Sequence, residues 1–209
     1  MIAVSGAPIY KTTIMSDGVI KNFTMTSEAE SFNIYKYTPA AGGGEMISAK
    51  ISEVNARVSG GATLTLETGA ALEVVNNKTL TIASDGNLVI NTDAAGSTLL
   101  HVENGAGLAF EDGAILRINI EGVFSASDVS VLTIMGWEDD SHITGVNVFE
   151  VDETLFLTVN GEAYAGDWNY RIFNKQFQIV FEQIPEPAFY AALLGVFALA
   201  FAARRRKAK

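Results

Sequence analysis

Cysteine is absent from the 209 residues. That excludes a disulfide scaffold, a zinc ribbon, an iron–sulfur cluster and a thiolate nucleophile. Proline occurs four times, too rarely for a collagen or a proline-rich linker, and with 48% hydrophobic residues the chain is not a disordered tail. Basic side chains are few and unevenly placed. Net charge is −10, but five of the 14 Lys and Arg residues are Arg204, Arg205, Arg206, Lys207 and Lys209, so residues 1–203 hold nine basic against 24 acidic side chains, a net of −15. Such a body repels nucleic acid phosphates, and no nucleic-acid partner is expected.

What the chain has is a repeat. Leu-x-aliphatic or Leu-x-Phe pairs recur at Leu64/Leu66, Leu72/Val74, Leu80/Ile82, Leu88/Ile90, Leu100/Val102, Leu108/Phe110 and Leu116/Ile118. The first four leucines are spaced by eight, an insertion of four follows around 92–95, and the last three resume the spacing. Turn formers separate the pairs: Gly60-Gly61, Gly69, Asn76-Asn77, Asp85-Gly86, Gly96, Gly105 and Gly113. Each unit reads as a short strand with its i and i+2 side chains on one face, followed by a tight turn. An antiparallel meander or sandwich and a parallel β-solenoid with three strands per repeat would both produce this lattice.

Around it the expected organisation is an upstream β-rich segment over 1–58, the repeats over 59–120 and a β-rich cap over 121–183. Residues 31–37 read as a strand. Ile47, Ile51, Val54 and Val58 have helical spacing, so a short helix at 46–57 competes there with further irregular structure. In the cap, 129–135, 146–151, 155–159, 170–173 and 177–181 read as longer strands, with Asn160-Gly161 as a hairpin turn. Trp137 and Trp168 fall at strand ends, as core or cap aromatics or, alternatively, as a sugar-stacking platform.

The chemistry-bearing residues are sparse. His101 takes the outward middle position of a repeat pair and His142 sits in a polar stretch. Neither has a spacing that indicates a Ser–His–Asp arrangement, and no catalytic residue is assigned. Glu138, Asp139 and Asp140 lack the alternating ligands and central glycine of a calcium loop. Gly42-Gly43-Gly44 lacks the Lys-Ser or Lys-Thr of a phosphate loop. Asn22-Phe23-Thr24 and Asn77-Lys78-Thr79 match the glycosylation tripeptide, a signal too short to carry weight. No metal or cofactor is expected.

The C-terminus is more specific. Residues 188–203 carry no charge and precede the basic run 204–209. As a helix they cover about 24 Å of the roughly 30 Å hydrocarbon core, so snorkelling arginines or local thinning complete the span. Basic residues stay cytoplasmic, which places Arg204, Arg205, Arg206 and Lys207 inside and the acidic body outside. Immediately upstream, Pro185 keeps the preceding backbone extended and Pro187 suits a first helical turn, presenting Glu186 on a stiff stalk.

Pro185-Glu186-Pro187, the short apolar helix with Tyr190 and Leu193-Leu194-Gly195, and the terminal arginines together resemble the PEP-CTERM sorting signal of bacterial exported proteins. The resemblance covers residues 184–209. It implies an exosortase as partner, passage through the inner membrane before processing, and association with exopolysaccharide at the cell surface or in the extracellular matrix. In the body, the Gly-Ala-x-Leu cadence of 61–64, 69–72 and 113–116 resembles the β-helical passengers of autotransporter-like surface proteins, which favours the parallel solenoid. Residues 1–10 lack the basic start and apolar core of a signal peptide, so an exported product is expected to have further sequence upstream. Two function classes result. One is an exported structural or adhesin-like protein without enzymatic activity. The other is a carbohydrate-binding or polysaccharide-degrading β-helix protein, disfavoured because the repeats offer only Lys78 and Arg117 to neutralise a uronate.

Overall fold

The computed structural model describes residues 13–14, 19–21, 24–25, 31–34, 49–52, 55–147, 149 and 153–181. Strands dominate: β1 (Thr13–Ile14), β2 (Val19–Lys21), β3 (Thr24–Met25), β4 (Ser31–Ile34), β5 (Ala49–Ile51), β6 (Ala56–Val58), β7 (Thr63–Leu66), β8 (Ala71–Val74), β9 (Thr79–Ile82), β10 (Asn87–Asp93), β11 (Leu99–Val102), β12 (Gly107–Phe110), β13 (Ile115–Glu121), β14 (Val131–Trp137), β15 (Ile143–Thr144), β16 (Leu155–Val159), β17 (Glu162–Ala163), β18 (Trp168–Phe173) and β19 (Gln176–Phe181). A single 3-10 turn, Asp140–His142, interrupts the described strands.

The strands form three sheets, ordered β1-β2-β5-β8-β11-β14-β19-β18, β17-β16-β13-β10-β7-β4 and β15-β12-β9-β6-β3. From β2 to β13 each strand is hydrogen bonded in parallel to the strand three places later in the chain. The protein is therefore all-β with parallel sheets, and the antiparallel meander or sandwich is corrected for the repeats. Among the described residues antiparallel pairing is confined to β1–β2, β14–β19, β16–β17 and β18–β19. Parallel pairing also extends beyond 59–120 at both ends, since β4 joins β7 and β16 joins β13.

Register follows from the leucine pairs. Leu64 faces Leu88, which faces Leu116; Leu72 faces Leu100; Leu80 faces Leu108. Every side chain of the seven pairs is buried, and the positions between them, such as Thr65, Glu73, Thr81 and His101, lie on the outer faces. An in-register parallel ladder stacks like on like, so each leucine row is continuous and dry. Small residues take the tight inner corners: Ala62, Ala70, Ala106 and Ala114 are buried, and each closes a turn through its N–H to the carbonyl three residues back. That is the physical basis of the Gly-Ala cadence. At one such corner Gly105 has φ +78, and a Cβ there would lie against Asn77 Oδ1 on the equivalent corner one repeat earlier.

The four-residue insertion is absorbed in one corner. β10 and β13 run on together to Asp93 and Glu121, and the chain then folds back on side-chain hydrogen bonds. Buried Thr98 donates to the Asn91 carbonyl at 2.6 Å and accepts from Gly69 N–H at 2.8 Å. Asp93 Oδ1 accepts from the N–H groups of Ala95 and Ser97, both at 3.0 Å. At the C-terminal end aromatic rings cover the core. Phe149 meets Phe110 edge-on at 5.0 Å and Phe177 at 5.9 Å, Tyr170 stacks on Phe177 at 5.0 Å, and Phe124 lies 4.8 Å from Phe181.

Two local expectations are corrected. The described part of 46–57 is β5 and β6, not helix; Ala49/Ile51 and Ala56/Val58 are inward pairs locked to β8 and β9. The ladder overrides a helical spacing four residues long. Val146 and Asn147 lie in a turn, not a strand. The strands at 155–159, 170–173 and 177–181 and the Asn160-Gly161 hairpin, with φ of 51° and 82°, form as expected.

Candidate functional site

The outer faces are where chemistry could reside, and the repeat positions their side chains in rows. On the sheet containing β5 and β8, Lys50 pairs with Glu73 at 2.8 Å. On the sheet of β6, β9 and β12, the Arg57 guanidinium grips both carboxylate oxygens of Glu111 at 2.6 and 2.9 Å, reaching across β9. The hydrogen bonds from Arg57 hold the Glu111 carboxyl below its ordinary value, aided by the Ser84 N–H against the opposing effect of burial, and Arg57 is raised in turn. On the remaining sheet, Asn91 donates to Glu67 at 2.7 Å and Arg117 lies 4.4 Å over the Phe156 ring. These partners lie roughly one or two repeats apart in sequence. Their pairing is legible only once the repeat length is known.

The Glu138, Asp139 and Asp140 carboxylates diverge. Glu138 accepts from Asn104 N–H at 3.1 Å and approaches His101 Nε2 at 3.6 Å. Asp139 caps the 3-10 turn through Ser141 N–H at 3.0 Å, and that bond, with the Ser141 hydroxyl, holds its carboxyl below the ordinary value. Asp140 accepts from Trp137 Nε1. Among the described residues no group of three or more His, Cys, Asp or Glu side chains could hold a metal ion.

His142 does meet a serine and an aspartate, which spacing had not indicated. Ser141 Oγ is 2.8 Å and Asp139 Oδ2 3.4 Å from the same ring nitrogen, Nδ1, and Ser141 Oγ donates to Asp139 at 2.7 Å. A nucleophilic triad needs the imidazole to bridge, one nitrogen to the serine and the other to the carboxylate. Here all three groups converge on one nitrogen in an exposed turn, an arrangement that caps the turn but cannot relay a proton. His101 stands on the outer face as expected. Trp137 is buried against the core and presents no open ring face for a sugar, and Trp168 is half-buried against it.

Pro185, Glu186 and Pro187, the apolar stretch 188–203, Arg204, Arg205, Arg206 and Lys207, and Gly42-Gly43-Gly44 lie outside the described residues. Among the described residues no helix is long and apolar enough to cross a membrane. No family model, curated protein or solved structure matches the chain.

Acid is expected to weaken the fold in a defined window. Burial pushes the Asp93 carboxyl up, but hydrogen bonds from Ser97 and Ala95 outweigh it and the net shift is downward, as it is for Glu111. A carboxyl depressed in the folded state contributes stability above its unfolded value and loses it as pH falls through the folded one. The melting temperature should therefore stay level from pH 7 to 5 and drop below about pH 4. Because the Arg57–Glu111 pair is exposed, Glu111→Gln should lower the pH 7 value by only about 1–3 °C, and it should flatten the acid limb. An acid limb unchanged in Glu111→Gln would show that this carboxylate does not carry the dependence.

Proposed function

We propose that this chain is an exported structural or adhesin-like surface protein. Its body is a parallel β-solenoid, and residues 184–209 form an exosortase sorting signal. The observation that carries the reading is the parallel pairing of the strands from β2 to β13 with those three places later, around an interior of stacked leucines. On its exterior, Lys50 pairs with Glu73 one repeat on and Arg57 with Glu111 two repeats on, so these outer side chains stiffen the stack.

Such a body spaces and displays a surface; it is not an enzyme and takes no cofactor. The tail supplies its address. Pro185, Glu186 and Pro187 present the processing motif, residues 188–203 span the inner membrane, and Arg204, Arg205, Arg206 and Lys207 hold the basic end in the cytoplasm. The exosortase is the processing partner, and the body comes to rest at the cell surface or in an exopolysaccharide matrix.

The test is coexpression of the full chain, behind a signal peptide, with an exosortase. A shortened form should leave the inner membrane, Glu186→Ala should remain full-length in the membrane fraction, and the purified product should turn over neither acidic nor neutral glycans. Identical processing with and without the exosortase would sink the sorting assignment.

A further inference from the structure

Among the described residues β18 is the outer strand of the eight-stranded sheet and pairs only with β19. On the same C-terminal side the other two sheets end in β15 and β17, strands of two residues each. Edges that short limit strand addition. β18 is different: it has six residues, no proline and an unbroken register with β19. Its Ile172 and Phe173, on opposite faces, are 48% and 52% exposed. Residues 168–181 contain Arg171 and Lys175 and no acidic side chain in a chain of net charge −10, while exposed Asp167 stands just before the strand.

We propose that β18 is a dimerisation edge, and that two copies of this chain add β18 to β18 antiparallel about a two-fold axis at Tyr170. Hydrogen-bond parity supports the register. Asn174 and Lys175 both have left-handed φ, 49° and 58°, a two-residue hairpin turn that makes its flanking residues, Phe173 and Gln176, a hydrogen-bonded pair. Alternation along the ladder then turns Arg171 and Asn169 toward β19, and the main-chain groups of Trp168 and Ile172 toward the open edge. Tyr170 N–H likewise turns away from β19, donating to Asn169 Oδ1 at 2.7 Å.

With Tyr170 on the axis, Trp168 of one copy faces Ile172 of the other, and these pairs supply the main-chain bonds between copies. Side-chain faces match as well, apolar opposite apolar and Asn169 opposite Arg171. Antiparallel addition sets Asp167 diagonally beside Arg171 and Lys175 of the second copy. Parallel addition would set like charges side by side.

Sedimentation velocity of the full chain should show a dimer, converted to monomer by Ile172→Pro. Because the Ile172 N–H faces away from β19, proline at this edge position should leave the circular dichroism and melting of the monomer unchanged. A monomeric wild-type chain overturns the proposal, whether the edge is open or covered by residues 182–209. So does a dimer that survives Ile172→Pro, as one held by the tail would. The absence of native cysteine allows a second measurement that holds even if the proline variant fails to fold. Copies carrying Asn169→Cys, oxidised with copies carrying Arg171→Cys, should form the mixed disulfide, since directly opposite residues of a non-hydrogen-bonded pair have Cα atoms about 4.5 Å apart. No mixed disulfide overturns the register and the dimer with it.

Discussion

Leu80→Asp should abolish cooperative unfolding, whereas Thr81→Asp should leave it nearly unchanged. Leu80 is fully buried in β9, between Ala56 of β6 and Leu108 of β12. A carboxylate there loses its water, finds no hydrogen-bonding partner in a leucine row, and leaves a void where the isobutyl group packed. The combined cost is on the order of 5 kcal/mol or more, comparable with the whole stability of a typical domain, about 5–15 kcal/mol. One residue along, Thr81 faces outward between Arg57 and Ala109. An aspartate at that position keeps its hydration and has a guanidinium nearby, so the change should stay within about 0.5 kcal/mol. Urea titration followed by tryptophan fluorescence distinguishes the two. Equal tolerance at both positions would mean that the inner and outer faces are exchanged.

The second large effect is expected at Gly145→Ala. Gly145 has φ +76, and a Cβ added there would sit 1.8 Å from the Phe110 carbonyl oxygen, deep within its van der Waals radius. That oxygen belongs to the backbone, so no side-chain rotation relieves the overlap. Relief requires separating β15 from β12, where Ile143 pairs with Leu108 and Thr144 with Ala109. Gly161, at φ +82 with nothing within 4 Å of its Cβ direction, is the control: alanine there meets only the left-handed penalty, about 1 kcal/mol. Gly145→Ala should cost about 3 kcal/mol or more. Matching losses for the two variants would show that residues 143–145 do not dock on β12.

The body was legible in the sequence at the level of single strands. A leucine two residues before another apolar side chain, repeated every eight positions between turn formers, assigns both the strands and their inward faces. Leu64, Leu72, Leu80 and Leu88 are buried accordingly. Where the same reasoning failed, at 46–57, the signal was a few apolar residues whose spacing suits a helix. Ladders from β8 and β9 decide that stretch. The outer pairs were not legible, because Arg57 and Glu111 are neighbours only after the chain has passed through all three sheets twice.

By itself the sequence determined an all-β body of alternating strands, its acidic charge and the separate character of its C-terminal segment. Tertiary structure alone decided that the repeats pair in parallel, which strand meets which, and that among the described residues a six-residue strand ends the largest sheet. Alternation of side chains has period two in either strand direction, so it says which face is buried without saying which neighbour lies alongside. That choice is made by main-chain hydrogen bonds between residues some 24 to 28 positions apart, and they leave no mark on local composition.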